Sequence, residues 1–281
     1  MNVRHQTDPK TQEEIANHYA SGYEAERHQT HTGKLEAARS QELMKRFLPS
    51  PPAIVRDIGG GPGAHACWLA AAGYEVHLID VVPLHVQLAR QASAAQPDHP
   101  IASASVGDAL ALEWLDESSD AVLLFGPLYH LTSRDDRVAA LREAKRVLRT
   151  DGVLMVVGIS RFASTMDGLF RGFLDDPTFN QIVERDLRDG QHRNPTGNPN
   201  YFMDTFFHHP DELRAEVEEV GLSVVGVFGV EGPGWLLQNF DEYWEDEGRR
   251  ERMLRVARLL ETEASLIGLS AHMIIVGRKM D

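Results

Sequence analysis

The sequence predicts an α/β fold in which helices cover both faces of a mostly parallel sheet. Three observations point there. Between residues 54 and 159, short apolar runs alternate with amphipathic stretches of helical period. The run Ile54-Val55-Arg56-Asp57-Ile58-Gly59-Gly60-Gly61-Pro62-Gly63 reads as a buried strand ending in an acid, then a glycine-rich turn into an apolar helix. Tyr74-Glu75-Val76-His77-Leu78-Ile79-Asp80 is a second strand that also ends in a carboxylate.

The elements follow in order. Residues from about Thr11 to Phe47 read as helical, with Thr11 and Glu14 as a capping box and Ile15, Tyr19, Tyr23 and Arg27 on one face. A second helix in this stretch runs from about Gly33 to Phe47, and Pro49, Pro51 and Pro52 stop it. Strands are expected near 54–58, 75–79, 102–106, 120–125 and 153–159, and helices near 64–72, 83–94 and 134–149. The last helix has a core-facing stripe of Val138, Leu141, Ala144, Val147 and Leu148, a start capped by Ser133 with Asp136, and Gly152 in the turn after it. Residues 161–209 change composition and read as an insertion or lid. Pro210 to Val220 is a helix closed by Gly221, and Ser223 to Val230 and Ala271 to Arg278 are the sixth and seventh strands. A second insertion, 233–265, carries Trp235, Phe240, Tyr243 and Trp244. The expected layout is therefore a helical cap (1–50), a cofactor-binding core (51–160), a lid (161–209) and the rest of the core (210–281). The aromatics of the two insertions would line an acceptor pocket; the plainer alternative is that they stabilise the fold or form a homodimer contact.

Glycine tolerates positive φ and close backbone approach, so a strand–glycine turn–helix unit builds a nucleotide-sized cradle with N–H groups facing inward. Gly59, Gly61 and Ala64 fit the dinucleotide fingerprint of an NAD(P)-dependent oxidoreductase. The tighter pattern Asp57-x-Gly59-x-Gly61-x-Gly63 fits as well. Downstream come Val106-Gly107-Asp108-Ala109, the strand and loop from Asp120 through Phe125-Gly126-Pro127-Leu128-Tyr129-His130-Leu131, and the helix–turn–strand from Leu141 to Val157.

Taken in order, these five segments resemble class I S-adenosylmethionine-dependent methyltransferases of the small-molecule type. The resemblance covers roughly residues 54–159. It implies a Rossmann-like, seven-stranded sheet and S-adenosylmethionine as cofactor. By it, Asp57, Gly59, Gly61 and Gly63 shape the methionine side, Asp80 holds the ribose, and Asp108 and Ala109 hold the adenine. Phe125 lines the cofactor site, Arg39 meets the methionine carboxylate, the N-terminal helices fold over the cofactor, and Tyr19, a further cofactor-binding residue, lines the active site with Tyr23. Gly60 stands where the family often has another small residue, a departure expected to cost little. A protein of this fold that binds without turnover is the alternative of a different class.

The bulk properties describe an ordinary globular chain, with 281 residues, 42% apolar and 25% charged. Asp plus Glu is 42 against 28 Lys plus Arg, a formal charge of −14, which disfavours a nucleic-acid partner and leaves a small-molecule acceptor. No apolar run has the length to span a bilayer, and the polar N-terminus has no leader-like apolar stretch, so a cytoplasmic, membrane-free protein is expected. Cys67 is the sole cysteine and is expected to be a buried, inert thiol.

The expected chemistry is alignment of an acceptor oxygen or nitrogen with an activated methyl group while water is excluded. A hydroxyl acceptor must lose its proton. His130, just beyond the fourth strand at the sheet's ligand end, is the candidate base, and an imidazole's ordinary pKa of about 6.5 suits that task. Tyr129 is the second candidate. Asp204, His208 and His209 form another polar cluster, with His208 expected at the surface. No metal site is expected, because no zinc-type spacing of His and Cys occurs.

Overall fold

The structure is a computed structural model, and it describes residues 31–281. The expected helix before residue 31, with Tyr19 and Tyr23, lies outside the described residues. The first described helix, α1 (Gly33–Phe47), ends as the proline run predicts. The core then unrolls as β1 (Ile54–Ile58), α2 (Ala64–Ala71), β2 (Glu75–Asp80), α3 (Pro83–Ala94), β3 (Ser103–Val106), β4 (Ser119–Leu124), the single turn α4 (Pro127–His130), α5 (Arg134–Val147) and β5 (Leu148–Ser160). Next come α6 (Ala163–Arg171), α7 (Pro177–Asp189), β6 (Gln191–His192), β7 (Thr205–His208), α8 (Pro210–Glu219), β8 (Ser223–Gly229), α9 (Phe240–Glu245), α10 (Glu247–Leu260) and β9 (His272–Arg278).

The parallel strands run in the order β3-β2-β1-β4-β5, so the chain reverses direction across the sheet between β1 and β4. Ligands bind outside the carboxyl ends of strands at such a reversal. β9 pairs antiparallel with β5 from Val153↔Arg278 to Ile159↔His272, and β8 pairs antiparallel with β9. Side chains alternate between two cores. Ala121 and Leu123 of β4 face one and Val122 and Leu124 the other; Met155 and Val156 of β5 divide in the same way. Each fully buried Leu or Val stabilises by about 1.5–3 kcal/mol relative to exposure, which pins the register.

Among the described residues the sheet has nine strands, two more than the seven expected. The additional strands are β6 and β7, both from the insertion. β7 pairs in parallel with Ile159 and Ser160 of β5 beyond the last residue that β4 reaches, extending the edge that β4 leaves. The expected Gly152 turn is an irregularity inside β5, with Asp151 at φ +63 and a register shift against β4. Ser133 makes no side-chain cap bond. α8 is instead capped by His209 and Glu212, whose side chains reciprocally bond each other's backbone ends.

The insertion aromatics do not line the ligand cleft. Phe173, Phe179 and Tyr201 pack on one another beneath α6 and α7. Phe240 stacks on Trp244 and, with Leu35 and Met253, forms a satellite core under α1. They stabilise their own segments because each finds apolar partners there.

Candidate cofactor and active site

The carboxyl ends of β1, β2 and β4 open on a cleft of about 530 Å³, within the range of small-molecule sites. Its floor is the glycine turn. Gly59, Gly61 and Gly63 have φ of +68, +55 and +87, conformations that side-chain-bearing residues rarely adopt. Gly63 sits at the N-cap of α2 and brings the turn against α3, where its Cβ would lie 3.0 Å from that of Ala89. The expectation of inward-facing N–H groups is only partly met. The N–H groups of Gly59 and Gly60 donate to the Ile79 carbonyl at 2.7 and 3.2 Å, and that of Gly61 to Asp80 Oδ2 at 2.9 Å. These donors hold the turn to β2.

The cleft therefore has a strong acceptor character. Asp57, Asp80, Asp108 and Glu36 all line it. Asp57 is 1% exposed, and its Oδ2 has no hydrogen-bond partner. Burial, reinforced by the neighbouring Asp80 charge, pushes its pKa up to about 7. Asp80 is fixed by the Gly61 and Val82 N–H groups and by His85 Nδ1 at 3.2 Å, a contact the sequence reading missed although His85 lies one turn into the following helix. A carboxylate offers about four acceptor sites, so Asp80 retains capacity for a hydroxyl donor. Asp108 Oδ1 accepts from the Leu110 N–H at 2.9 Å, and Ala109 lines the cleft beside it.

The opposite wall is Phe125, Tyr129 and His130. Phe125 stands edge-on to His65 with ring centres 5.5 Å apart, and the Tyr129 and His130 rings lie 4.6 Å apart. The Tyr129 hydroxyl is 3.4 Å from the Phe125 carbonyl. Glu36 and Gln41 of α1 and His65 are lining residues that the sequence reading did not single out. Cys67 is buried, and burial followed by the Asp57 charge pushes its thiol up.

Two expectations are corrected. Arg39 does not reach the cleft. It is fully buried, donates from Nε to the Val230 carbonyl at 3.2 Å, and pairs with Glu42 and Glu261. Every face of its guanidinium is spent clamping α1 to the end of β8 and to the residue after α10. His208 is not a surface histidine. It is 0% exposed on β7 with Nε2 3.3 Å from Glu216 Oε2, and burial holds its pKa below the ordinary value.

Residues 56–156 match the family model described as a methyltransferase domain. Over that segment, about a third of its length, the chain is similar to methyltransferase domains. A match to a methyltransferase domain accords with S-adenosylmethionine, of the two nucleotides that the glycine spacing alone leaves open. A protein of Streptomyces halstedii named methyltransferase GfsG is 30% identical over 138 residues, 49% of this chain and 45% of that protein. A human protein named probable tRNA methyltransferase 9B is 30% identical over 117 residues, 40% of this chain and 23% of that protein. The chain thus matches less than half the length of either relative. A structure described as a SAM-dependent methyltransferase from Methanosarcina mazei superposes with a TM-score of 0.57 at 16% identity, over 85% of this chain and 97% of that one, a likeness of fold. The residues present fit the family's cofactor. An unpartnered buried carboxyl oxygen, in a cleft that Asp80 and Asp108 also line, suits a ligand with cationic and hydroxyl groups. The turn is one that a Cβ at position 59 would force against Pro127 at 2.5 Å. Among the described residues, no helix is long and apolar enough to cross a membrane.

Proposed function

We propose that the protein is an S-adenosylmethionine-dependent methyltransferase that methylates an oxygen or nitrogen of a small organic acceptor. The observation that carries this is the unpartnered Asp57 carboxyl oxygen at the floor of the glycine cradle, in a cleft that Asp80 and Asp108 also line. When bound, the cofactor supplies a methyl group already activated on a sulfonium. The chain's residues then have four tasks. Asp57 and the turn Gly59-Gly60-Gly61-Pro62-Gly63 receive the methionine end, where a cation meets an otherwise uncompensated buried acid. Asp80 accepts from the ribose hydroxyls. Asp108 and Ala109 border the adenine, and Phe125 packs against the ligand from the β4 side. His130 takes the proton of an acceptor hydroxyl or amine, with Tyr129 beside it to orient the acceptor.

A small acceptor accords with the charge of the chain. With 42 acids against 28 Lys and Arg, and four carboxylates on the cleft wall, phosphate neutralisation has little to work with. Calorimetry with S-adenosylmethionine and S-adenosylhomocysteine, then methyl transfer to panels of phenols, amines and RNA, tests the reading. Binding of neither nucleoside at millimolar concentration would sink it. Methyl appearing only on carbon or only on RNA would overturn the acceptor class while leaving the cofactor assignment intact.

A further inference from the structure

We propose that Gln191, on β6, is a positioning residue for methyl transfer: it holds the backbone that leaves α4 and so fixes where Tyr129 and His130 stand. This rests on the functional reading of α4 as the acceptor wall. Gln191 does not line the cleft. The wall is gripped at both ends. At its start the glycine turn closes on it, since a Cβ on Gly59 would meet Pro127 Cδ at 2.5 Å and one on Gly126 would lie 2.9 Å from the Gly59 carbonyl oxygen. At its exit two donors converge on the Thr132 carbonyl, Arg137 Nη1 at 3.2 Å and Gln191 Nε2 at 3.0 Å. A carbonyl oxygen has two lone pairs, and both are used here. Arg137 is local to α5, whereas Gln191 ties the same oxygen to the segment between β5 and α8.

β6 is itself fixed. It pairs with β7, Gln191 opposite Phe206 and His192 opposite Thr205, and α4 packs against β7. The buried His192 ring stacks on Phe207 with centres 4.6 Å apart, with Nδ1 2.9 Å from Asp186 Oδ2 and Nε2 2.7 Å from the Tyr201 carbonyl. The Gln191 N–H donates to Asp189 Oδ1 at 3.0 Å. The Gln191 side-chain amide has one orientation that satisfies its neighbours. Arg193 Nη2, which can only donate, meets Oε1, so Nε2 is the end that faces the Thr132 carbonyl, which can only accept. Gln191→Glu therefore keeps the shape and the Arg193 contact but turns an acceptor toward the Thr132 oxygen. The tie to the wall is lost while the packing of β6 is kept. Misplacing a reacting group by about 1 Å costs up to about a hundredfold in rate, so a backbone tie next to His130 bears directly on transfer.

The full chain carrying Gln191→Glu is compared with wild type by amide hydrogen exchange, by calorimetry with S-adenosylhomocysteine, and by steady-state methyl transfer to the acceptor that the phenol, amine and RNA panels yield. Exchange of residues 129–133 is expected to quicken by about fivefold or more. Affinity for S-adenosylhomocysteine should stay within about twofold of wild type, because the glycine turn is untouched. The kcat should fall by about tenfold or more with the cofactor KM unchanged. Gln191→Ala removes the donor without adding charge, and decides the matter if Gln191→Glu does not fold. A lowered Tm with wild-type kcat in the folded variant overturns the proposal and leaves Gln191 a structural residue. Wild-type exchange at 129–133 overturns it too, and that readout needs no acceptor. Failure of the wild-type chain to bind either nucleoside is a separate result, which removes the functional reading and the role in transfer with it.

Discussion

The carboxyl group of Asp57 occupies the space that a side chain at position 60 would need. A Cβ on Gly60 would lie 2.6 Å from Asp57 Oδ2 and 2.7 Å from Leu78 Cδ1. Gly60 is therefore not the neutral departure from family pattern that the sequence suggests. The acid and the glycine are one device: the backbone recedes so that a buried carboxyl can lie across it.

Gly60→Ala should consequently act on the cofactor and less on the fold. Overpacking of this kind costs about 1–3 kcal/mol, and Asp57 is the group with freedom to move. Affinity for S-adenosylhomocysteine is expected to fall by about tenfold or more. Calorimetry checks this, and unchanged affinity would show that the carboxyl position is immaterial to binding.

The raised pKa of Asp57 has two consequences of opposite sign. Its folded value of about 7 lies above the ordinary 3.8, because burial and then the Asp80 charge disfavour ionisation. Stability from this group is complete below the unfolded value and lost as pH rises through 7. Cofactor affinity runs the other way, since a cationic ligand favours the ionised carboxyl, and it should rise between pH 6 and 8. Asp57→Asn removes both effects. Without ligand at pH 8 the variant should melt higher than wild type, by roughly 3 °C or more, and its weakened binding should be flat with pH. Thermal unfolding and calorimetry at several pH values decide it.

The parts of this site legible in the sequence are those that strand periodicity delivers. Asp57 and Asp80 end β1 and β2, and Asp108 follows β3, so their place at the ligand end follows from local pattern. α1 was legible because prolines stop it. Which face of α1 meets the cleft was not, because that depends on Glu261, 222 residues from Arg39. The same holds for β7, whose Thr205-Phe206-Phe207-His208 is buried only because β5 outruns β4 and leaves an edge to pair. Glu36 and His65 gain their positions from packing, which no spacing announces.

Arg39→Ala separates the structural role of this residue from the cofactor role that family resemblance suggests. Removing Arg39 from this buried ionic cluster leaves Glu261 held only by the part-exposed Arg46 and costs about 3 kcal/mol. Urea unfolding should show that loss. Affinity for S-adenosylhomocysteine, measured where the variant is still folded, should stay within about threefold of wild type. A selective loss of affinity with little loss of stability would restore Arg39 to the cofactor.

Acid sensitivity should be governed by Glu216. Arg137 reaches it from α5, with Nη2 2.7 Å from Oε1 and Nε 3.1 Å from both oxygens, and His208 Nε2 approaches from β7. Burial alone would raise this carboxyl, but the hydrogen bonds from His208 and Arg137 outweigh it and bring the pKa down to about 2. With the folded value depressed below 4.5, the stabilisation is present above that pH and lost as pH falls toward 2. It amounts to roughly 3 kcal/mol. Glu216→Gln should lower stability at pH 7 by a similar amount and flatten the Tm-versus-pH curve below pH 5. The loss should also reach the cleft, because Arg137 Nη1 donates to the Leu131 and Thr132 carbonyls at 3.1 and 3.2 Å, immediately after His130. Hydrogen exchange of residues 128–133 should therefore quicken in Glu216→Gln at pH 7. Unchanged exchange there would confine the network to stability and uncouple it from the wall that carries His130.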